Sequence, residues 1–250
     1  MTDPATDPDA EIDQDTGLPI GAVVNPTAAR APERVTLAGR YVTVAPLDPA
    51  AHGDALWGAT SGHANDRLWL YLAYGPFPER AGFDAHLAQM ASTSDPLTFA
   101  VLDQASGRAI GIATYLRVEP AQRCIEVGHI LFSPALQRTR GATEAMYLMA
   151  RHAFEDLGYR RYEWKCHALN ARSHRAALRL GFTFEGVFRE HLIVKGRNRD
   201  TAWFSIIERE WPTRRAALER WLDPANFDAS GEQRLSLSAL NGMDAGATPS

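Results

Sequence analysis

The sequence predicts an α/β domain with a mixed, mostly antiparallel sheet flanked by helices. Three observations carry this. First, three strand patterns follow one another at Leu97–Leu102, Ala109–Val118 and Cys124–Phe132. Their connections are too short for a parallel crossover, so they form an antiparallel meander. Second, helical and strand periodicities alternate on both sides of that meander. Third, both chain ends are rich in Asp, Pro, Ala, Gly and Ser and poor in large apolar residues. Such segments bury too little area to offset chain entropy and are expected as flexible termini.

The elements follow in order. Tyr41–Pro46 alternates and is β-branched, which predicts a strand. Asp48-Pro49 opens a helix with an N-cap acid and a proline in its first turn. That helix ends near Gly58. A loop rich in Gly, Pro and aromatics runs to Pro78, and Glu79–Ser92 has helical spacing through Phe83, Leu87 and Met90. After the meander comes the longest predicted helix, Gly141–Leu157, with Gly158 as its natural C′ residue. Arg161–His167 is a strand. Asn170–Leu180 is a helix with an Asn N-cap. Phe182–Val194 and Thr201–Glu210 form a hairpin across Lys195-Gly196-Arg197-Asn198, a charged tip best read as a solvated turn. A last helix runs from Trp211-Pro212 to Trp221 and packs on the sheet or forms a homodimer contact.

Composition narrows the class. The chain has 250 residues, 45% of them hydrophobic and 22% charged, which suits a soluble globular protein. Two cysteines exclude a disulfide framework. No stretch reaches the roughly 20 apolar residues of a membrane span. The first fifteen residues hold six acids and no base. That is no secretory signal, so the cytoplasm is the expected compartment. Net charge is −4, of which −6 lies in residues 1–33 and −2 in residues 224–250, leaving +4 between them. A mildly basic core suits a small anionic ligand and is too weak for a nucleic-acid binder. Cys124, Cys166, His167 and His174 match no zinc-ligand spacing, so no metal is expected.

The chemistry concentrates in Cys124–Thr143. A strand ending at Phe132-Ser133-Pro134 feeds a loop, Ala135–Arg140, that runs straight into a helix near Gly141. Free backbone N–H groups at such a helix start, with the helix dipole, make an anion site. Arg138 and Arg140 add charge and Thr139 a hydroxyl. Small Gly141 and Ala142 allow close approach. A pyrophosphate fits this arrangement. The loop is neither a Walker A nor a G-x-G-x-x-G sequence, which disfavours a nucleoside triphosphate or dinucleotide fold.

Four pieces in order then resemble a known family: Glu126-Val127-Gly128-His129-Ile130-Leu131-Phe132, Gly141-Ala142-Thr143-Glu144-Ala145, Asn170-Ala171-Arg172-Ser173, and Leu180-Gly181-Phe182 followed by Glu185-Gly186. The chain resembles the GNAT superfamily of acyl-CoA-dependent N-acetyltransferases over about residues 40–211. It is most similar to the branch of ribosomal-protein N-terminal (alanine/serine) acetyltransferases. The family loop, Gln/Arg-x-x-Gly-x-Gly/Ala, falls on Gln137–Ala142, with Arg140 where the family has its central glycine.

The resemblance implies a single GNAT-type domain over residues 34–211, between a flexible acidic tail at 1–33, a C-terminal helix at 212–223 and a flexible tail at 224–250. It implies a splayed central strand pair that admits the pantetheine arm of acetyl-CoA. Ile130, Leu131 and Phe132 would pair with that arm. Gln137, Arg138, Thr139, Arg140, Gly141, Ala142 and Thr143 would hold the pyrophosphate. Asn170 would sit near the thioester, besides capping its helix. The implied reaction is direct attack of a neutral amine on the acetyl thioester in a ternary complex. The amine is a protein N-terminus or a small molecule, and neither nucleic acid nor membrane is a partner. Glu126 is the first candidate base and Ser173 the candidate proton donor to the thiolate. His129 is the second candidate base. It lies three residues from Glu126, so a regular strand would put only one of them in the cleft, unless a bulge intervenes. A non-catalytic acyl-CoA-binding sensor is the rival reading. Arg140 for glycine, and the absence of a tyrosine after Asn170, favour it.

Overall fold

The computed structural model describes residues 10–242. A short exposed hairpin comes first, β1 (Glu11–Ile12) against β2 (Pro19–Ile20). The main sheet has eight strands: β3 (Leu37–Ala38), β4 (Val42–Pro46), β5 (Leu97–Asp103), β6 (Ala109–Glu119), β7 (Cys124–Phe132), β8 (Arg161–His167), β9 (Thr183–Val194) and β10 (Arg197–Ile207). Their order is β3-β4-β5-β6-β7-β8-β10-β9, and among the described residues only β7 and β8 run parallel. The mixed, mostly antiparallel sheet expected from sequence is therefore present.

Helices cover both faces. On one, α3 (Arg140–Arg151), α4 (Ala171–Arg179) and α5 (Trp211–Leu222) pack over a core that includes Phe99, Tyr115, Val127, Tyr162 and Phe204. On the other, α1 (Pro49–Thr60) and α2 (Arg80–Ser92) cover Ala100, Ile112 and Leu131. The predicted caps form. Asp48 accepts from Ala50 and Ala51 N–H at the start of α1, and Asn170 accepts from Ser173 N–H at the start of α4. Each satisfies donors that the helix cannot.

Three expectations change. The long helix to Leu157 is α-helical only to Arg151. Residues His152–Asp156 widen to a π-turn, with Leu157 N–H donating to His152 C=O at 3.0 Å. β10 begins at Arg197, not Thr201, because the turn is two residues long. Lys195 and Gly196 both take positive φ, +49° and +71°. That mirror-image turn follows the right-handed twist of the strands and keeps pairing up to the tip. Finally, the tail expected at 224–250 is folded as far as Gly242. Pro224–Asn226 forms a 3₁₀ turn and α6 (Leu237–Leu240) buries Leu237 completely. Asn226 donates to the carbonyls of Trp221 and Leu235, and Trp221 Nε1 donates to Gln233. Few apolar residues are needed when each is seated and each polar group has a partner. Residues 243–250 lie outside the described part, as do residues 1–9 of the N-terminal tail. Within that tail, Ala29 and Arg30 N–H donate to Pro120 and Leu157 carbonyls. By contrast Leu18 and Val23 stay exposed, so the Gly17–Val24 stretch does not lie buried against the domain.

One buried carboxylate fixes the sheet edge to α3. Glu144 accepts from the backbone N–H groups of Arg40, Tyr41 and Val42 at 2.8, 2.6 and 2.9 Å. A Cβ on Gly39 would stand 2.5 Å from that carboxylate, so the turn requires glycine there.

Candidate functional site

The site begins where β7 leaves β8. The two strands pair from Cys124 with Arg161 to Val127 with Trp164, and no further. Gly128–Phe132 thus keeps β6 on one side and, among the described residues, has no strand on the other. The expected splay is present, and it exposes a ladder edge to which an extended ligand can pair.

A bulge sits at the divergence. Leu116, Thr114 and Ile112 of β6, which share a face, pair with Glu126, Gly128 and Leu131 of β7. Ala113 of β6 therefore opposes both His129 and Ile130 of β7, and His129 takes φ +48°. The extra residue reverses the strand's parity. As a result Glu126 and His129 both turn to the α1–α2 side. His129 Nδ1 lies 3.2 Å from Tyr74 Oη, and the two rings stack at 5.5 Å with planes 5° apart. His86 packs on the other side of Tyr74, at 4.1 Å. Burial, then the nearby Arg199 charge, holds His129 below the ordinary histidine value of 6.5. Its imidazole is neutral at pH 7 and can accept a proton. Burial raises the Tyr74 phenol, which stays protonated.

Glu126 has a different setting. It is buried, with Oε2 2.9 Å from Lys165 Nζ and 3.6 Å from Arg117 Nε. Lys165 also binds Glu163 at 2.8 Å, and Arg161 links Glu163 to Glu185. Burial raises the Glu126 carboxyl above its usual value, against the pull of Lys165. The charge partner of Glu126 is thus a lysine on the neighbouring strand.

The β7–α3 loop divides the predicted anion ligands. Thr139 is the N-cap: its Oγ1 accepts from Ala142 N–H and its hydroxyl donates to Leu136 C=O. Gln137 donates to Phe132 C=O at 2.7 Å, which occupies one of the carbonyls expected for the pantetheine arm. Arg140 points to the C-terminal segment, with its guanidinium 3.6 Å from the centre of the Phe227 ring and a weak bond to Gly231 C=O. Gly141 is small because Val42 fills the space above it, 2.8 Å from where a Cβ would lie. Thr143 is buried and accepts from Arg179. Arg138 remains exposed at φ +64°, and the backbone N–H groups of Arg138, Arg140 and Gly141 take no part in the turn bonds. These donors and the open β7 edge suit an extended ligand ending in a pyrophosphate. A groove of about 620 Å³ flanks the loop beside Arg40, Tyr41 and Gln104.

Ser173 stands in the first turn of α4. Its Oγ accepts from Trp164 Nε1 at 2.9 Å, and its hydroxyl is within hydrogen-bond reach of the Cys166 thiol. Asn170 spends its side-chain oxygen on the cap. Across the sheet, the charged hairpin tip is no free turn. Lys195 Nζ donates to Trp69 C=O at 2.9 Å and closes one end of the α1–α2 cleft. Tyr71 joins it by donating to Leu169 C=O. Sequence reasoning missed Lys165 as the partner of Glu126 and left Arg199 within the charged tip. Their signal is a register across four strands, which local periodicity does not carry.

Comparison with known proteins agrees with this geometry. Residues 47–183 match the family model described as an acetyltransferase (GNAT) domain. A GCN5-related N-acetyltransferase from Brucella melitensis superposes with a TM-score of 0.85 at 45% identity, covering 86% of this chain and 98% of that one. A GNAT-family structure from Chromobacterium violaceum ATCC 12472 gives 0.70 at 42% identity, covering 78% and 100%. A Bacillus subtilis (strain 168) protein named for ribosomal N-acetyltransferase activity, YdaF, is 27% identical over 105 residues. That match covers 42% of this chain and spans only 57% of the relative's length. Among the described residues no helix is long and apolar enough to cross a membrane.

Proposed function

The chain belongs to the GNAT family of N-acetyltransferases, and on that footing we propose that it moves an acetyl group from acetyl-CoA to a primary amine by direct attack in a ternary complex. The observation that carries the reading is the open β7 edge, which lies between an anion-suited helix start and a neutral buried histidine. Acetyl-CoA supplies the activated thioester. Gly128–Phe132 would line its arm, with Arg138 and the first-turn N–H groups of α3 taking its phosphates.

His129 accepts the proton of the attacking amine. An amine with a pKa near ~10 is mostly protonated at pH 7, so the reactive fraction is small and a base is required. The C–N bond forms as the C–S bond breaks, the departing thiolate takes a proton from the Ser173 hydroxyl, and the proton held by His129 returns to Ser173 by way of solvent. Glu126 supplies the charge that keeps Lys165 in place beneath the cleft. The acceptor enters between the β9–β10 hairpin and the residues around Tyr74. A protein N-terminus and a small-molecule amine both meet this description. The name of the Bacillus subtilis relative supports the first.

Calorimetric titration with acetyl-CoA, with ATP and NAD as controls, tests the cofactor. Saturable binding in the micromolar range is expected for acetyl-CoA alone, and Arg138→Ala weakens it by about ten-fold, the loss of one charge-assisted contact. A screen of amines by free-thiol release then follows. No binding of acetyl-CoA would overturn the reading. Glu126→Gln separates the two candidate bases. The acidic limb of the pH–rate profile should persist in that variant, and its loss would return the role of base to Glu126.

A further inference from the structure

We infer that the acceptor amine also carries a carboxylate, and that Arg199 binds it on the α1–α2 face of the sheet; this deepens, and rests on, the amine transfer proposed above. The placement follows from register. Thr201 pairs with His167, the last residue of β8, and Trp203 pairs with Lys165. Arg199 lies two residues beyond Thr201, opposite Leu192 of β9. It therefore shares a face with Thr201 and Trp203, and reaches past the end of β8 into the space that the splay opens. Its charge is felt at His129 on β7 and at Cys166 and His167 on β8, so it lies near the ends of both strands.

The Arg199 side chain makes no hydrogen bond and no ion pair among the described residues, although its Nε is buried. Trp203 Nε1, on the same face, is also buried without a partner. Two buried donors of one strand thus lie on the α1–α2 face with no acceptor among the described residues to meet them. The nearby carboxylates are committed. Glu126 and Glu163 hold Lys165 at 2.9 and 2.8 Å, and Asp200 accepts from Glu190 N–H and from Asn198. A buried donor left unmet is destabilising, and the partner that removes the penalty is a ligand acceptor. For a guanidinium that acceptor is an anion, and the planar fork matches a carboxylate. The cofactor's phosphates do not serve, because the helix start suited to them belongs to α3 on the other face. The unpaired charge also disfavours a polycationic acceptor.

The experiment compares matched amines that differ by one carboxylate: the α-carboxylate in glycine against glycinamide, and the side-chain carboxylate in aspartate against asparagine and in Ala-Asp against Ala-Asn. The readout is the kcat/KM ratio within each pair, expressed per free amine and measured by thiol release. The wild-type protein is expected to favour a carboxylate member by about ten-fold or more, as for one charged pair. Arg199→Gln brings that ratio to near one, and Arg199→Lys keeps part of it. In Arg199→Gln the acidic limb for the amide also moves up, because a cation near His129 is gone. A wild-type ratio near one in every pair, or a ratio unchanged in Arg199→Gln, overturns the inference. Loss of acetyl-CoA binding in Arg199→Gln overturns it too, by assigning the residue to the cofactor. Transfer to no amine at all would instead overturn the proposed reaction. Calorimetric titration of Ala-Asp with CoA present then decides Arg199 separately. Binding to wild type that Arg199→Gln abolishes supports the anion site, and binding to neither overturns it.

Discussion

Glu144→Ala is expected to lower the stability of the domain by about 3 kcal/mol or more, since it strips three backbone donors of one buried charged acceptor. The carboxylate sits in the second turn of α3 and holds Arg40, Tyr41 and Val42, which form the turn between β3 and β4. Without it, three N–H groups face a pocket that water enters only by loosening the turn. Chemical denaturation measures the effect, and a change within 1 kcal/mol would mean that the turn finds other partners easily. Gly39→Ala attacks the same contact from the other side, because its Cβ would stand 2.5 Å from the carboxyl carbon. The two substitutions should be less than additive, the signature of one shared interaction. Since α3 carries the anion-suited N–H groups, both variants should also weaken acetyl-CoA binding.

His129→Gln is expected to lower kcat by about 10²- to 10⁴-fold, the usual contribution of a positioned general base. Acetyl-CoA affinity should hold within a few-fold, since the side chain turns toward Tyr74 and not toward the helix start. The pH dependence has a definite sign. The histidine works in its neutral form, and its pKa in the folded protein is lowered from 6.5. Wild-type kcat/KM falls on acidification with the free-amine fraction throughout; below that value it should fall more steeply, and this added limb should vanish in His129→Gln. Above pH 7 the rate keeps rising with the fraction of free amine. Tyr74→Phe removes the hydrogen bond to Nδ1 but keeps the stack, so it should shift the limb with a smaller loss of kcat. An unaltered acidic limb in His129→Gln would exclude His129 as the base.

Much of the fold is legible because its signals are local. Asp48-Pro49, Asn170 and the alternation of the meander strands state their roles within a few residues, and all three form as expected. What escapes is set by partners far away in sequence. The loop does lead into α3, yet Arg140 stacks on Phe227, eighty-seven positions later, inside a segment whose composition reads as flexible. The bulge that brings Glu126 and His129 to one face exists only relative to β6. Glu126 is an acid on the expected strand, but Lys165 on β8 decides what surrounds it. Arg199 reads as part of a solvated tip until the two-residue turn places it in the ladder.

The two flanks of the splay also have a kinetic consequence. The helix start suited to acetyl-CoA belongs to one flank, and the cleft of His129, Tyr74 and Arg199 to the other. Neither substrate has to vacate its seat for the other to arrive. Steady-state rates measured with both substrates varied should give intersecting lines in double-reciprocal plots, not the parallel lines of a ping-pong cycle. Free CoA should then compete with acetyl-CoA and not with the amine.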